Sequence, residues 1–250
     1  MHLCIFLILA IVGLLAGFVD AIVGGGGLLT IPTLISVGLP PHIALGTNKL
    51  AGTVGVLNAV YVYLCKRLYK PQLWLIAVFA SAIGSAIGAL AIHYISANWL
   101  NKMIPLILIV IALYMAMPKS LHHKGQKTDY RPATRTGGLL GIILGFYDGF
   151  FGPGTGSFWT SALIFFFKLD LLQATAIAKL MNFISNAAAL LVFIYYDSIN
   201  YTLAFALMLG YILGAYFGAH SAIKYGRKLI KPLFLTVVTA IAIKLIWQYW

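Results

Sequence analysis

Glutamate is absent from this chain of 250 residues, and aspartate occurs only five times. Charged residues make up 9% of the sequence, against roughly 25% in an ordinary soluble domain. That shortage excludes a solvated globular surface of this size. The two cysteines, Cys4 and Cys65, lie far apart near segment ends and make neither a disulfide framework nor a metal motif. No histidine shares a helix with a carboxylate at metal-ligand spacing, so no metal site is read. There is no Gly-x-Ser-x-Gly, no Cys–His pair and no Walker motif, which argues against hydrolytic, nucleophilic or ATPase chemistry; the chain is read as a non-enzyme without cofactors. The first apolar run lacks a basic leader and continues past Asp20, so a cleaved signal peptide is not expected.

What is present is apolar length. Hydrophobic residues are 62% of the chain and mean hydropathy is +0.97. Apolar runs of a length to cross about 30 Å of hydrocarbon recur from end to end. The expected fold class is an all-α polytopic membrane protein, with the lipid bilayer as its main partner. The net charge of +12 does not point to nucleic acid, because the basic residues sit in short loops between membrane segments, where they report topology. Trp74, Trp99, Trp247 and Trp250 lie near segment ends, as interfacial anchors do.

The chain repeats itself. Gly17-Phe-Val-Asp20-Ala-Ile-Val-Gly24-Gly-Gly-Gly27 has a counterpart in Gly145-Phe-Tyr-Asp148-Gly-Phe-Phe-Gly152-Pro-Gly154-Thr-Gly156. Aspartate and glycine fall in register (148 − 20 and 152 − 24 are both 128), and Lys49-Leu50 recurs as Lys179-Leu180 (179 − 49 is 130). The expected organisation is an N-terminal membrane repeat over 1–117, a basic cytoplasmic linker over 118–136 and a C-terminal membrane repeat over 137–250. Each repeat opens with a glycine-broken stretch (Leu3–Val37 and Gly137–Phe167). A lysine-bearing helix follows (Ile43–Leu64 and Leu171–Tyr196), then two plain helices (Gln72–Ile92 and Met103–Met117; Tyr201–His220 and Pro232–Trp250), for about eight membrane segments. Three loops, around Lys66–Lys70, Lys119–Arg135 and Lys224–Lys231, hold 12 of the 17 basic residues. Putting all three in the cytoplasm requires each broken stretch to fold back as a hairpin. The second half then runs upside-down relative to the first, an inverted repeat of the kind common in secondary transporters. The expected location is the plasma or inner membrane, multi-pass, with homo-oligomerisation left open.

Lysine in mid-membrane costs at least about 2.5–3.5 kcal/mol, so Lys49 and Lys179 at matched positions suggest a shared task, the holding of an anion. The glycine breaks free backbone N–H groups at the start of a new helix, where the dipole favours negative charge. Gly25 and Gly26 in one half, and Gly154, Thr155, Gly156 and Ser157 in the other, therefore make a candidate anion cradle, against the plainer reading of close helix packing. Thr47 and Asn48 beside Lys49, and Asn182 and Asn186 on the face of Lys179, are candidate neutral donors. Asp20 and Asp148 are read either as proton-coupling carboxylates or as partners of the lysines. The expected ion pairs lie within each half, Asp20 with Lys49 and Asp148 with Lys179.

These motifs, with Gly46-Thr47-Asn48-Lys49-Leu50 and Ala178-Lys179-Leu180-Met181-Asn182, resemble the sulfite exporter TauE/SafE family of membrane permeases over essentially the whole chain. The resemblance implies a secondary transporter, an exporter, of sulfite, a sulfonate or another small sulfur-containing anion, moving it by alternating access between the repeats. A passive anion channel remains an alternative, as does, more remotely, a membrane-embedded enzyme or a purely structural subunit.

Overall fold

The computed structural model describes residues 2–116 and 135–225. Nearly all of the basic linker and the Pro232–Trp250 segment lie outside the described residues. The described residues form helices and no strand: α1 (His2–Val23), α2 (Gly27–Ser36), α3 (Pro41–Cys65), α4 (Leu75–His93, preceded by a single 3-10 turn, Pro71–Trp74), α5 (Ala97–Ala116), α6 (Arg135–Phe150), α7 (Thr155–Phe167), α8 (Leu171–Tyr195) and α9 (Tyr201–Tyr225). Four stretches, Cys4–Val23, Pro71–His93, Leu171–Tyr195 and Tyr201–Tyr225, are long and apolar enough to cross a membrane; Gly27–Ser36, Ala97–Ile111 and Thr155–Phe167 are apolar but shorter. Rows of large apolar side chains face outward, among them Leu7, Ile8 and Ile11 on α1 and Phe79, Ile83 and Ile87 on α4. In water such faces would demand a partner; in hydrocarbon they are the solvent-facing surface.

The two glycine-broken stretches do break. Gly24 ends α1 and Gly152 ends α6, both with positive φ (85° and 98°) that an L side chain adopts only under strain. The break lets α2 and α7 set off in new directions from the protein's interior. Glycine equally governs how the long helices meet. A methyl group on Gly13 or Gly17 of α1 would overlap the backbone of Leu207 or Tyr211 on α9. On α6, Gly141 and Gly145 meet the backbone of Ala77 and Ser81 on α4 in the same way. The partners are again 130 residues apart (207 − 77, 211 − 81). Returning contacts follow the same rule: Gly214 and Gly218 of α9 pack on Leu14 and Phe18, and Gly84 and Gly88 of α4 on Ile142 and Phe146. The first helix of each half thus packs chiefly along a long helix of the other half and less against its own. Van der Waals contact between close backbones is what holds helices together where lipid offers no hydrophobic gain.

The lysine helices α3 and α8 lie at the centre, in contact with each other and with α9 and α4 respectively. Asn58 donates to the carbonyl of Ile212 at 3.0 Å, joining α3 to α9. Ser85 donates to the carbonyl of Ser185, joining α4 to α8. Contacts along these pairs rise together in sequence, so each pair is parallel. The C-terminal ends of α3 and α9 therefore share one end of the molecule with the starts of α4, α6 and α8. Lys66, Arg67, Lys70, Arg135, Lys168 and Lys224 collect at that end. The opposite end carries His42, His93 and the α8–α9 turn, where Thr47 accepts the Asn200 N–H at 3.0 Å.

Gly210→Ala would drive a methyl into the Ala10 carbonyl and is expected to lower stability by about 1–3 kcal/mol through overpacking. Gly52→Ala, whose methyl meets nothing within 4 Å, should be neutral or stabilising by up to about 1 kcal/mol on helix propensity. Thermal unfolding of the detergent-purified variants compares the two; equal stability would contradict the close approach of α1 and α9.

Candidate functional site

Both helix breaks open onto one cleft, about 20 Å³ in volume, enough for one or two waters. Asp20, Gly24 and Gly27 line it from the first break, and Asp148, Gly152 and Gly154 from the second. Asn48, Lys49 and Gly52 of α3, Asn182 and Asn186 of α8 and Tyr211 of α9 complete the wall. The breaks touch each other at its base. A methyl on Gly24 or on Gly156 would collide with the other glycine's backbone, and Ser157 donates its hydroxyl to the Val23 carbonyl.

Each aspartate lies beside the start of the helix that follows it. Asp20 Oδ1 accepts the Gly26 N–H at 3.3 Å, at the start of α2. Asp148 Oδ1 accepts the Thr155 hydroxyl at 3.2 Å, at the start of α7. A carboxylate there offsets the partial positive charge of the helix N-terminus. Each aspartate also meets a lysine, but not the one expected from the sequence. Lys49 Nζ lies 2.9 Å from Asp148 Oδ1 and donates to the Asp148 backbone carbonyl as well. Lys179 Nζ lies 3.6 Å from Asp20 Oδ1. The same-half pairs are thus corrected to cross-half pairs. The reason is the exchange of α1 and α6 between the halves: the break of one half is carried against the lysine helix of the other.

These four charges are nearly inaccessible, with side-chain exposures of 2% for Lys49, 1% for Asp148, 1% for Lys179 and 7% for Asp20. Two ammoniums and two carboxylates sum to zero. Two helix N-termini, each worth about half a positive charge, add to the same small volume. The site thus combines two helix N-termini with the neutral amides of Asn48, Asn182 and Asn186.

The remaining candidate residues divide. Asn48, Asn182 and Asn186 reach the cleft; the Asn48 amide oxygen accepts from the Thr30 hydroxyl, and Asn186 donates to the Asn182 side chain at 2.7 Å. Thr47, Thr155 and Ser157 spend their hydroxyls on other protein groups, and Gly26 gives its N–H to Asp20. Gly25, Gly26 and Gly156 stand behind the wall. Lys179 also stands behind it, its Nζ 2.9 Å from where a methyl on Gly156 would be. Tyr211 and Ser185 were not read as site residues. Ser185 donates to Asp148 Oδ2 and lies one turn beyond Met181 on the lysine helix, a spacing that was available in the sequence. Tyr211 sits on an otherwise plain helix, and no local signal marked it.

A known family covers this arrangement. The sulfite exporter TauE/SafE family matches residues 9–245. This chain belongs to that family. A probable membrane transporter protein of Haemophilus influenzae is 39% identical to it over 244 residues, 96% of this chain and 94% of the relative. The probable membrane transporter protein YfcA of Escherichia coli K12 is 36% identical over 242 residues, 96% and 89% of the two chains. A Sinorhizobium relative, probable membrane transporter protein ORF9, is 38% identical over 245 residues, covering 98% and 93%. No solved structure matches significantly. TauE/SafE membership makes the chain a membrane transporter by family.

Removing one partner of a buried pair leaves an uncompensated charge and is expected to cost about 3–5 kcal/mol, much of it recovered when both go. A double-mutant cycle on Lys49→Met and Asp148→Asn should therefore show coupling of about 0.5–3 kcal/mol. The same-half cycle, Lys49→Met with Asp20→Asn, should show less. Thermal or denaturant unfolding in detergent decides it, and the reverse ranking would restore the same-half pairing.

Proposed function

We propose that this TauE/SafE protein is a secondary transporter that exports a small sulfur-containing anion, sulfite or an organosulfonate. Transport would proceed by alternating access between two halves related as an inverted repeat of about eight membrane segments. The observation that carries the reading is the convergence of both helix breaks, Lys49 and three asparagines on one cleft between the halves, with Lys179 buried behind its wall. Broken helices are tolerated at membrane depth where they line a cavity, and a helix N-terminus facing a substrate's negative group is a recurrent transporter device. Lys49 and Lys179 supply the charge, Asn48, Asn182 and Asn186 supply neutral donors to the oxyanion oxygens, and Asp20 and Asp148 are the partners of the lysines. Thr47, Gly25, Gly26, Gly154, Thr155, Gly156 and Ser157 shape the breaks and the ends of the helices around the cargo. The reciprocal packing of α1 on α9 and α6 on α4 supports an exchange-symmetric pair of halves able to rock about the central α3–α8 contact.

The basic end of the molecule is assigned to the cytoplasm of the plasma or inner membrane by the positive-inside rule. Cys65 adjoins that end and Cys4 lies near the other, and both are exposed. A membrane-impermeant maleimide should label Cys4 on intact cells and Cys65 only after permeabilisation; the opposite pattern overturns the orientation.

Purified protein in proteoliposomes is expected to move labelled sulfite, with taurine and thiosulfate tested as competitors. Lys49→Ala and Lys179→Ala should each cut flux at least about tenfold while the protein still elutes as a folded species. Full flux in both variants would remove the lysines from the transport cycle.

A further inference from the structure

The two ion pairs that the repeat makes equivalent are unequally made. The Asp148 carboxylate accepts Lys49 at 2.9 Å and the Thr155 hydroxyl at 3.2 Å on one oxygen, and the Ser185 hydroxyl on the other. Asp20 accepts one backbone N–H, at 3.3 Å, and stands 3.6 Å from an ammonium that is fully buried and donates no hydrogen bond among the described residues. The difference is written in the sequence. Residues 130 positions before Asn182 and Ser185 are Gly52 and Gly55, so α3 offers Asp20 no counterpart of the Ser185 hydroxyl. The Tyr211 ring occupies the space over Gly55 instead, with its hydroxyl against Gly26.

Asp20 is also the member of its pair that faces the cleft, while Lys179 lies behind it. The ionisable groups facing Asp20 are Lys179 from α8, Lys49 of α3 and Asp148 of α6 across the cleft, and the phenols of Tyr211 on α9 and Tyr63 on α3; Tyr63 donates to the Ala21 carbonyl at 2.8 Å. Neither α2 nor α7 carries an ionisable side chain. With Asp20 ionised, Lys179 is neutralised and the four buried charges cancel. A proton from solvent, bonding to a carboxylate oxygen of Asp20, leaves Lys179 uncompensated and gives the site one net positive charge. An anion of one negative charge then restores neutrality.

We propose that the site takes a compact monoanion together with one proton, and that the proton resides on Asp20, while the Lys49–Asp148 pair stays closed as the fixed tie between the halves. This rests on the transport reading above and adds its coupling residue and the charge of its cargo. Proton and anion each strengthen the other's binding by the same factor, so they travel together. The small cleft restricts the guest to a compact one unless the halves part.

The test is equilibrium binding of labelled methanesulfonate, a monoanion whose charge does not change near neutral pH, to the purified full chain across a pH series. Proton uptake is followed in weakly buffered solution. Wild-type binding should weaken as pH rises, by up to about tenfold per pH unit, and take up about one proton per anion. Asp20→Asn should bind with no pH dependence and take up none. A preserved slope in Asp20→Asn, or wild-type binding without proton uptake, overturns the proposal. If Asp20→Asn does not fold, Asp20→Glu decides: a displaced pH midpoint supports the assignment and an unchanged one overturns it. Proton-linked binding without exchange in proteoliposomes would reject the transport reading and leave the proton on Asp20. Failure of wild type to bind methanesulfonate, sulfite or thiosulfate would overturn both.

Discussion

Four buried charges with nowhere to go but each other hold this protein's centre together. An ammonium or carboxylate withdrawn from water is tolerable only beside an opposite charge or good hydrogen bonds, and Lys49, Lys179, Asp20 and Asp148 find their opposite charges across the boundary between halves. Because each aspartate ends a broken helix and each lysine sits in mid-helix, the two contacts fix α1, α3, α6 and α8 against one another. They also leave the helices after the breaks, α2 and α7, starting beside a carboxylate. The proposed alternating access needs halves that are joined and yet separable. Ion pairs meet that need, since their strength depends on the charge state and on what else is in the pocket.

Around this centre the packing is done by absence of side chain. Gly13, Gly17 and Gly214 on one seam, and Gly141, Gly145 and Gly84 on the other, bring backbones into direct contact. Such seams are tight but contain few polar bonds, and dispersion contacts of this kind are gained against lipid rather than against water. The outer helices α1 and α9, and α6 and α4, therefore form paired slabs. The lysine helices lie between the slabs, where the few polar groups are.

Much of this was legible because membrane chemistry is strict. Any lysine or aspartate in an apolar run needs a reason, so the four charged residues stood out at once, and a glycine run with a proline in its counterpart announced broken helices. The order of elements followed from apolar length and the 128–130-residue repeat. Partner identity was not legible. Both same-half pairing and cross-half pairing satisfy the same sequence, and the choice depends on α1 being handed across to α9 while α6 is handed to α4. Tyr211 escaped notice for a similar reason: its helix is apolar throughout, and only the space left by Gly55 on another helix gives its ring a place in the site.

The sequence by itself determined that the chain is helical and apolar, that its motif recurs, and that each copy of the motif carries a break, an aspartate before it and a mid-helix lysine after it, because these depend on local composition and spacing. The tertiary structure alone decided which lysine meets which aspartate and that both breaks open on one cleft. Those outcomes depend on distances of a few ångströms between residues about a hundred or more apart in the chain, and no local pattern encodes them.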